Sequence, residues 1–312
     1  MLKELTVIIP TYKAEKTISR TIESIIAENV LPDNIIVVED GVYDDTKKVI
    51  DKYNIKHIIQ NENLGAPAAR NRGLQEVETK YVMFIDSDDF VSTQLIKGLV
   101  DSSNLHNSDI SFGPWRLDGD SMRKGKIRQP PYLDSEDWIF NWINNECVPT
   151  CSVLWRTERL KKIGGWDERL KKNQDGELAI RGLMNTKKIS ISQEGYSTYW
   201  QHNSQFRVSK ASIEDRLFAS EVIYEHILKW INSNNNLVEY KKSLGRYCCK
   251  VAWIAQSEEY KNDSDKWMLR AKKLGYEDDG YNKKTIVLSR VFGFDTAIEI
   301  KSKLHTLKSY LK

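Results

Sequence analysis

No stretch of this 312-residue chain is apolar enough, for long enough, to cross a bilayer. The opening Met1-Leu-Lys-Glu-Leu runs straight into a strand pattern without the parts of a secretory leader, so a cytoplasmic location is expected. Cysteine is sparse. The four present, Cys147, Cys151, Cys248 and Cys249, suit a reduced compartment as structural thiols, and the vicinal pair has the wrong geometry for a zinc site of two spaced pairs. Charge of one sign is not in large excess either: a formal net charge of +3 gives no electrostatic case for a nucleic-acid partner. No Gly-x-Gly-x-x-Gly is found, which sets aside a redox dinucleotide site. The turn Pro10-Thr-Tyr-Lys-Ala14 holds no glycine at all, which argues against the glycine-rich phosphate loop of a nucleotidyltransferase. No long-period repeat and no extended low-complexity tract appears.

What is present is globular: 40% hydrophobic and 29% charged residues, in a chain long enough for about two domains. The first half alternates strand and helix patterns. Leu5–Ile9 is a β-branched run closed by Pro10, and Ile18, Thr21, Ile22, Ile25 and Ile26 recur at helical spacing. Strands are expected at Ile35–Val38, Ile55–Ile59, Tyr81–Ile85 and Ile110–Phe112, with helices at Asp45–Tyr53 and Pro67–Val77. Such alternation predicts a mostly parallel sheet flanked by helices, which binds ligands beyond the carboxyl ends of its strands. Past residue 115 the pattern is irregular. The segment from Gly113-Pro114 to Pro130-Pro131 reads as a loop or exposed hairpin, and Asp175–Met184 as a helix. After Ser212 the signals are helical only, over Ile213–Trp230, Leu237–Ser257 and Ser264–Leu274. The division expected is therefore 1–210 and 211–312.

The most informative segment is Tyr81-Val-Met-Phe-Ile-Asp-Ser-Asp-Asp89, where an apolar strand ends in three carboxylates. Acidic groups crowded at a strand's carboxyl end suit a divalent cation and a phosphorylated ligand, because hard cations take oxygen ligands. An ordinary acidic turn is the plain alternative.

These elements together resemble a family 2 glycosyltransferase of the GT-A, Rossmann-like fold. Val7-Ile-Ile-Pro-Thr-Tyr12 resembles the family's first strand and nucleotide-contacting turn. Val37-Val-Glu-Asp-Gly41 resembles its Val-Asp-Asp-Gly-Ser element, with Glu39 and Val42 as departures. Asn63-Leu-Gly65, Ala69-Arg-Asn-Arg-Gly73 and Phe84-Ile-Asp-Ser-Asp-Asp89 follow in order. Gly164-Gly-Trp-Asp-Glu168 and Asn173-Gln-Asp-Gly-Glu177 resemble the acceptor side, where Gln174 stands in for the usual Glu. The likeness covers residues 1 to about 210.

The resemblance implies transfer of a sugar from a nucleotide-diphosphate donor, UDP favoured, with Mn²⁺ or Mg²⁺. It implies that Pro10, Thr11, Tyr12, Glu39 and Asp40 hold base and ribose, and that Asp86 and Ser87 face ribose or metal. Asp88 is then the metal ligand, Asp89 its support, and His202 a further metal or phosphate contact. Arg207 and Ser209 are lid candidates over the diphosphate. Arg70 is another diphosphate candidate, although an arginine on a helix commonly just faces solvent. Asp175 is the candidate general base for a single inverting displacement, with Asp167 and Glu177 as fallbacks, and an N-cap as the structural alternative. Trp166 offers a ring for a sugar or for the core. The expected acceptor is a surface polysaccharide or lipid-linked saccharide, served non-processively because no Gln-x-x-Arg-Trp occurs. A catalytically inactive GT-A-like protein that binds a glycan or a partner is the alternative. The basic amphipathic end, with Lys301, Lys303, Lys308 and Lys312 beside Ile298, Leu304, Leu307 and Leu311, suits the inner face of a membrane, another subunit of the same chain, or its own domain.

Overall fold

The computed structural model describes residues 2–42, 44–120, 125–144, 147–201, 212–234 and 240–276. Contacts divide the chain into two units, Met1–Ile139 with Cys147–Ala211, and Phe140–Glu146 with Ser212–Lys312.

In the first unit, β1 (Leu5–Thr11), β2 (Ile35–Asp40), β3 (Lys56–Gln60) and β4 (Tyr81–Phe84) are parallel neighbours. With β6 (Ile110–Phe112), β8 (Val153–Arg156) and β9 (Ile189–Ile191) they form a seven-stranded sheet in the order β3-β2-β1-β4-β8-β6-β9. Only β8 runs against its neighbours. The helices on this sheet are α1 (Ile18–Ala27), α2 (Thr46–Ile50), α3 (Ala66–Gln75), α4 (Leu95–His106), α6 (Thr157–Lys162) and α7 (Gln174–Met184). Strands covered on both faces must be apolar throughout, and every residue of β1, β2 and β4 is buried. Leu5, Val7, Ile9, Ile35 and Val37 meet Ile18, Ile22 and Ile25 of α1 in the main core. Each such side chain contributes roughly 1.5–3 kcal/mol of burial.

Three differences from the sequence reading have clear causes. Pro10 lies inside β1 and does not end it. Ile8 accepts from the Ile85 N–H on the β4 side, so Pro10, two residues on, faces that side beyond the last β4 pair, and its missing N–H breaks no ladder bond. The 113–131 segment does fold back as a hairpin, with Trp115 bridging Arg128 antiparallel, but its first arm is also β7 (Trp115–Gly119), which pairs with β10 (Ser197–Gln201), itself flanked by β5 (Phe90–Val91) in a second sheet. Trp115-Arg-Leu-Asp118 alternates apolar and polar as a strand does, a signal passed over between the proline turns, and Arg116 is buried under Tyr196 at 4.7 Å. β8 was also missed because only four residues separate a 3₁₀ turn from α6.

The second unit contains α8 (Ile213–Ser233), α9 (Lys241–Ser257) and α10 (Lys261–Lys273). Ser212 caps α8 by accepting the Asp215 N–H at 3.2 Å. Ile223, Ile227 and Ile231 give α8 its apolar stripe, and Trp267 is buried edge-on to Tyr224 and Tyr247. Helix α5 (Ser135–Asn144) crosses the boundary, with Trp138 counted in the first unit and Phe140 stacked on Tyr240 at 4.4 Å in the second. All four cysteines are free thiols. No helix among the described residues is long and apolar enough to cross a membrane. The amphipathic end at 298–312 lies outside the described residues.

Candidate active site

The sheet delivers Glu39, Asp40 and the 86–89 turn to one edge, because β1, β2 and β4 are parallel and end together. Asp86, Ser87 and Asp88 are half-buried, whereas Asp89 is buried. Asp89 is a brace: its N–H donates to the Asp86 carbonyl at 2.9 Å, and its Oδ1 accepts the Trp200 N–H at 2.8 Å. Burial, reinforced by Asp88 and Asp86, pushes its carboxyl well above the ordinary range. Residues of α1 secure the same turn. Arg20 donates to the Asp88 carbonyl at 2.6 Å with Phe90 and Trp200 each 4.4 Å from its guanidinium, and Thr21 donates to the Asp89 carbonyl at 2.7 Å. Sequence reasoning missed Arg20, although a lone cation inside the apolar period of α1 was a usable signal.

Arg70 is not on the surface. α3 can lie close against the sheet because Gly73 has no side chain; a Cβ there would stand 2.6 Å from Ile8 Cγ2. That approach buries Arg70, which donates to Asp86 Oδ1 at 2.6 Å and to Gln174 Oε1 at 3.2 Å, with its guanidinium 4.3 Å from the Trp166 ring. Burial works against its charge, but Asp86 and Asp175 outweigh it and raise its pKa. Trp166 is accordingly a buried wall, edge-on to Phe84 at 5.3 Å.

Asp175 lies in the first turn of α7 and is not the helix cap, a position held by Asn173 with φ 53°. Its side chain is exposed, yet protein crowds it closely enough for burial to raise its carboxyl, against the pull of Arg70 and with a further push from Asp86. An accessible carboxylate whose pKa is raised accepts a proton more readily than an ordinary one. The fallback candidates are engaged elsewhere: Asp167 pairs with Arg169 at 2.6 Å, and Glu177 accepts from Arg181 at 2.7 Å. Among the described residues Asp175 makes no such ion pair. Thr150, beside Asp175, helps hold that carboxyl down against the effect of burial, and Arg70 Nε is buried with no hydrogen-bond partner among the described residues, as polar atoms at ligand sites often are.

At the other end of the cluster, Asp40 accepts the N–H groups of Leu64 and Gly65 at 2.7 and 2.8 Å and so fixes the loop entering α3. Glu39 is buried with Oε2 3.0 Å from His57 Nε2. Burial raises the Glu39 carboxyl and lowers the His57 imidazole, so both shifts favour uncharged forms and the contact is a hydrogen bond more than an ion pair. Thr11 is buried and donates to the Ile9 carbonyl at 3.1 Å, Pro10 is buried, and Tyr12 is half-buried before Lys13, whose φ of 50° turns the chain. His202, Arg207 and Ser209 lie outside the described residues.

The glycosyl transferase family 2 profile matches residues 6–162, half of the chain. Over 166 residues the chain is 37% identical to a teichoic acid poly(glycerol phosphate) polymerase of Staphylococcus epidermidis, an overlap of 50% of this chain and 22% of that protein. Over 240 residues it is 26% identical to a poly(ribitol-phosphate) beta-N-acetylglucosaminyltransferase, TarS, of Staphylococcus aureus, covering 71% of this chain and 41% of the relative. The chain thus spans less than half the length of these two relatives. A crystal structure of S. aureus TarS 1-349 in complex with UDP-GlcNAc superposes with a TM-score of 0.66 at 21% identity, covering 86% of this chain and 79% of that one. The shared fold is the expected α/β architecture with helices at its carboxyl end.

Proposed function

Because the chain belongs to glycosyl transferase family 2, we propose that it moves a hexose, N-acetylglucosamine, from a UDP donor to a hydroxyl of a polyol-phosphate polymer, with inversion. The observation that carries this reading is the grouping of Asp86, Arg70 and Asp175 where the end of β4 meets the start of α7. Donor and acceptor are taken from what the relatives are named for. The acceptor oxygen attacks the anomeric carbon from the face opposite the diphosphate, Asp175 takes its proton, and the bond to UDP breaks with its electron pair passing to the leaving diphosphate. Arg70 serves this step without touching the acceptor. It orients Asp86 and, by opposing the effect of burial, keeps Asp175 in its proton-accepting form.

A divalent ion fits this site in a limited sense. Among the described residues no three His, Cys, Asp or Glu side chains converge on a ready cage. An ion of the Mg²⁺ kind needs only one or two carboxylates when a diphosphate supplies the remaining oxygens. Asp88 is the principal candidate to hold it because the family resemblance places the ligand there, and it stands half-buried in the turn that follows β4. When bound, the ion neutralises charge developing on the leaving diphosphate.

Titration calorimetry of UDP, with Mn²⁺ or Mg²⁺ and again with EDTA, tests the donor site. Binding should depend on the metal and fall at least about tenfold in Asp88→Asn, the loss of one charge-assisted contact. UDP affinity indifferent to both EDTA and the substitution overturns the metal assignment, and absence of UDP binding overturns the donor.

A further inference from the structure

A cavity of about 200 Å³ opens in the first unit at the other end of the sheet from Asp86. Ile110, in its wall, begins β6; β6 and β4 both run against β8, so they share a direction. The cavity therefore lies toward the amino ends of these strands, whereas the acidic turn follows their carboxyl ends. Ile110 and Trp155 make its apolar side, against α7 at Gly182, where a Cβ would stand 2.5 Å from Trp155 Cζ3. Arg159, Lys162, Asn185 and Thr186 supply its polar side.

The charges around it do not cancel. Arg181, also in the lining, is committed to Glu177 and to the carbonyls of Ile163 and Gly165. Asp109 is committed as well: Oδ1 accepts from Arg156 at 3.1 Å and Oδ2 from the Thr186 hydroxyl at 2.7 Å. Arg159 is partly exposed, and its Nε lies 3.5 Å from Asp109 Oδ1, within ion-pair range but with no hydrogen-bond partner among the described residues. Lys162 is exposed and has no carboxylate partner among the described residues. Four cations, Arg156, Arg159, Lys162 and Arg181, thus face two anions, Asp109 and Glu177.

We propose that this cavity is a second, non-catalytic binding site for a phosphorylated polyol or sugar. The phosphate takes the charge of Lys162 and the part of Arg159 that Asp109 leaves unmet, the hydroxyls meet Asn185 and donate to Thr186, whose own proton is spent on Asp109, and the carbon chain lies on Trp155. Whole nucleotides are excluded by size, since pockets for ligands of that scale run to about 300–1,000 Å³. Two sources share this chemistry, a unit of the polymer acceptor and a free phosphorylated metabolite. The first rests on the reading of Asp175 as the base: α7 carries Asp175 in its first turn and Gly182 near its end, roughly 10 Å along the helix at 1.5 Å per residue, a reach of one or two polyol-phosphate units.

Glycerol 3-phosphate is the probe, titrated calorimetrically beside glycerol and inorganic phosphate. It should bind more tightly than either, and Arg159→Gln with Lys162→Gln should weaken it at least about tenfold, the loss of two charge-assisted contacts, with UDP affinity unchanged. Lys162→Gln alone, on an exposed side chain, should weaken it several-fold in a chain whose folding is not in question. Undiminished binding in the variants, or no binding by the wild type, overturns the site. Inorganic phosphate binding as tightly as the probe overturns the polyol part. If the variants raise KM for a multi-unit acceptor without changing kcat, the ligand is the acceptor; if KM is unmoved while probe binding is lost, it is the free metabolite. Failure of UDP to bind overturns the donor reading and leaves the probe result standing.

Discussion

Arg70 and Asp175 are coupled, and the coupling makes the acid limb of activity predictable. A base works deprotonated, so transfer should fall as pH drops through the Asp175 pKa, and burial sets that fall above the ordinary Asp value of about 3.9. Arg70→Met removes the opposing cation, and the limb of kcat against pH should move to still higher pH. An unmoved limb breaks the link between the two residues. Asp89 supplies a stability prediction of definite sign. Its carboxyl is raised in the fold, so the stability it contributes is fully present below the unfolded-state pKa and is lost as pH rises through the folded one. Asn keeps an acceptor for the Trp200 N–H, so Asp89→Asn should gain Tm relative to wild type on going from about pH 4 to about pH 8. A difference that stays flat with pH contradicts this. At this scale the placement of the acidic turn after β4 and of Asp175 in the first turn of α7 was legible, because both stand at predicted element ends. The burial of Arg70 was not, since its partners Asp86 and Gln174 are 16 and 104 positions away. Thr150, in a 3₁₀ turn, offered no signal at all.

Among the elements, α3 links packing to function, because the same helix that needs Gly73 against Ile8 and Val38 carries Arg70. Gly73→Ala should cost about 1–3 kcal/mol by overpacking, read as a lower urea midpoint. It should also weaken the Asp86 contact, so activity should drop by more than stability alone explains. A variant as stable as wild type shows that the helix can shift away cheaply. The parallel strands were readable because burial on both faces makes them continuous β-branched runs. The second sheet was not, because β5 has two residues and the alternation Trp115-Arg-Leu-Asp118 of β7 is a single short run set among proline turns. A long-range pairing such as Ser197 with Trp115 leaves no local mark of which segment is the partner.

For the whole molecule, the helical periodicity after Ser212 agrees with α8, α9 and α10, each within a few residues of its expected ends. Contacts alone reveal that Phe140–Glu146 groups with those helices, since a stacking such as Phe140 on Tyr240 links positions far apart in the chain. We propose that the first unit carries donor binding and chemistry, with Asp175 as the base on which turnover depends. The most direct test measures sugar transfer and UDP affinity on one folded preparation of Asp175→Asn. Asn matches the carboxylate in size and cannot accept the proton, so transfer should fall by about 10²–10⁴ while UDP affinity stays within about twofold. Transfer close to the wild-type rate would contradict the account and remove Asp175 from the chemistry.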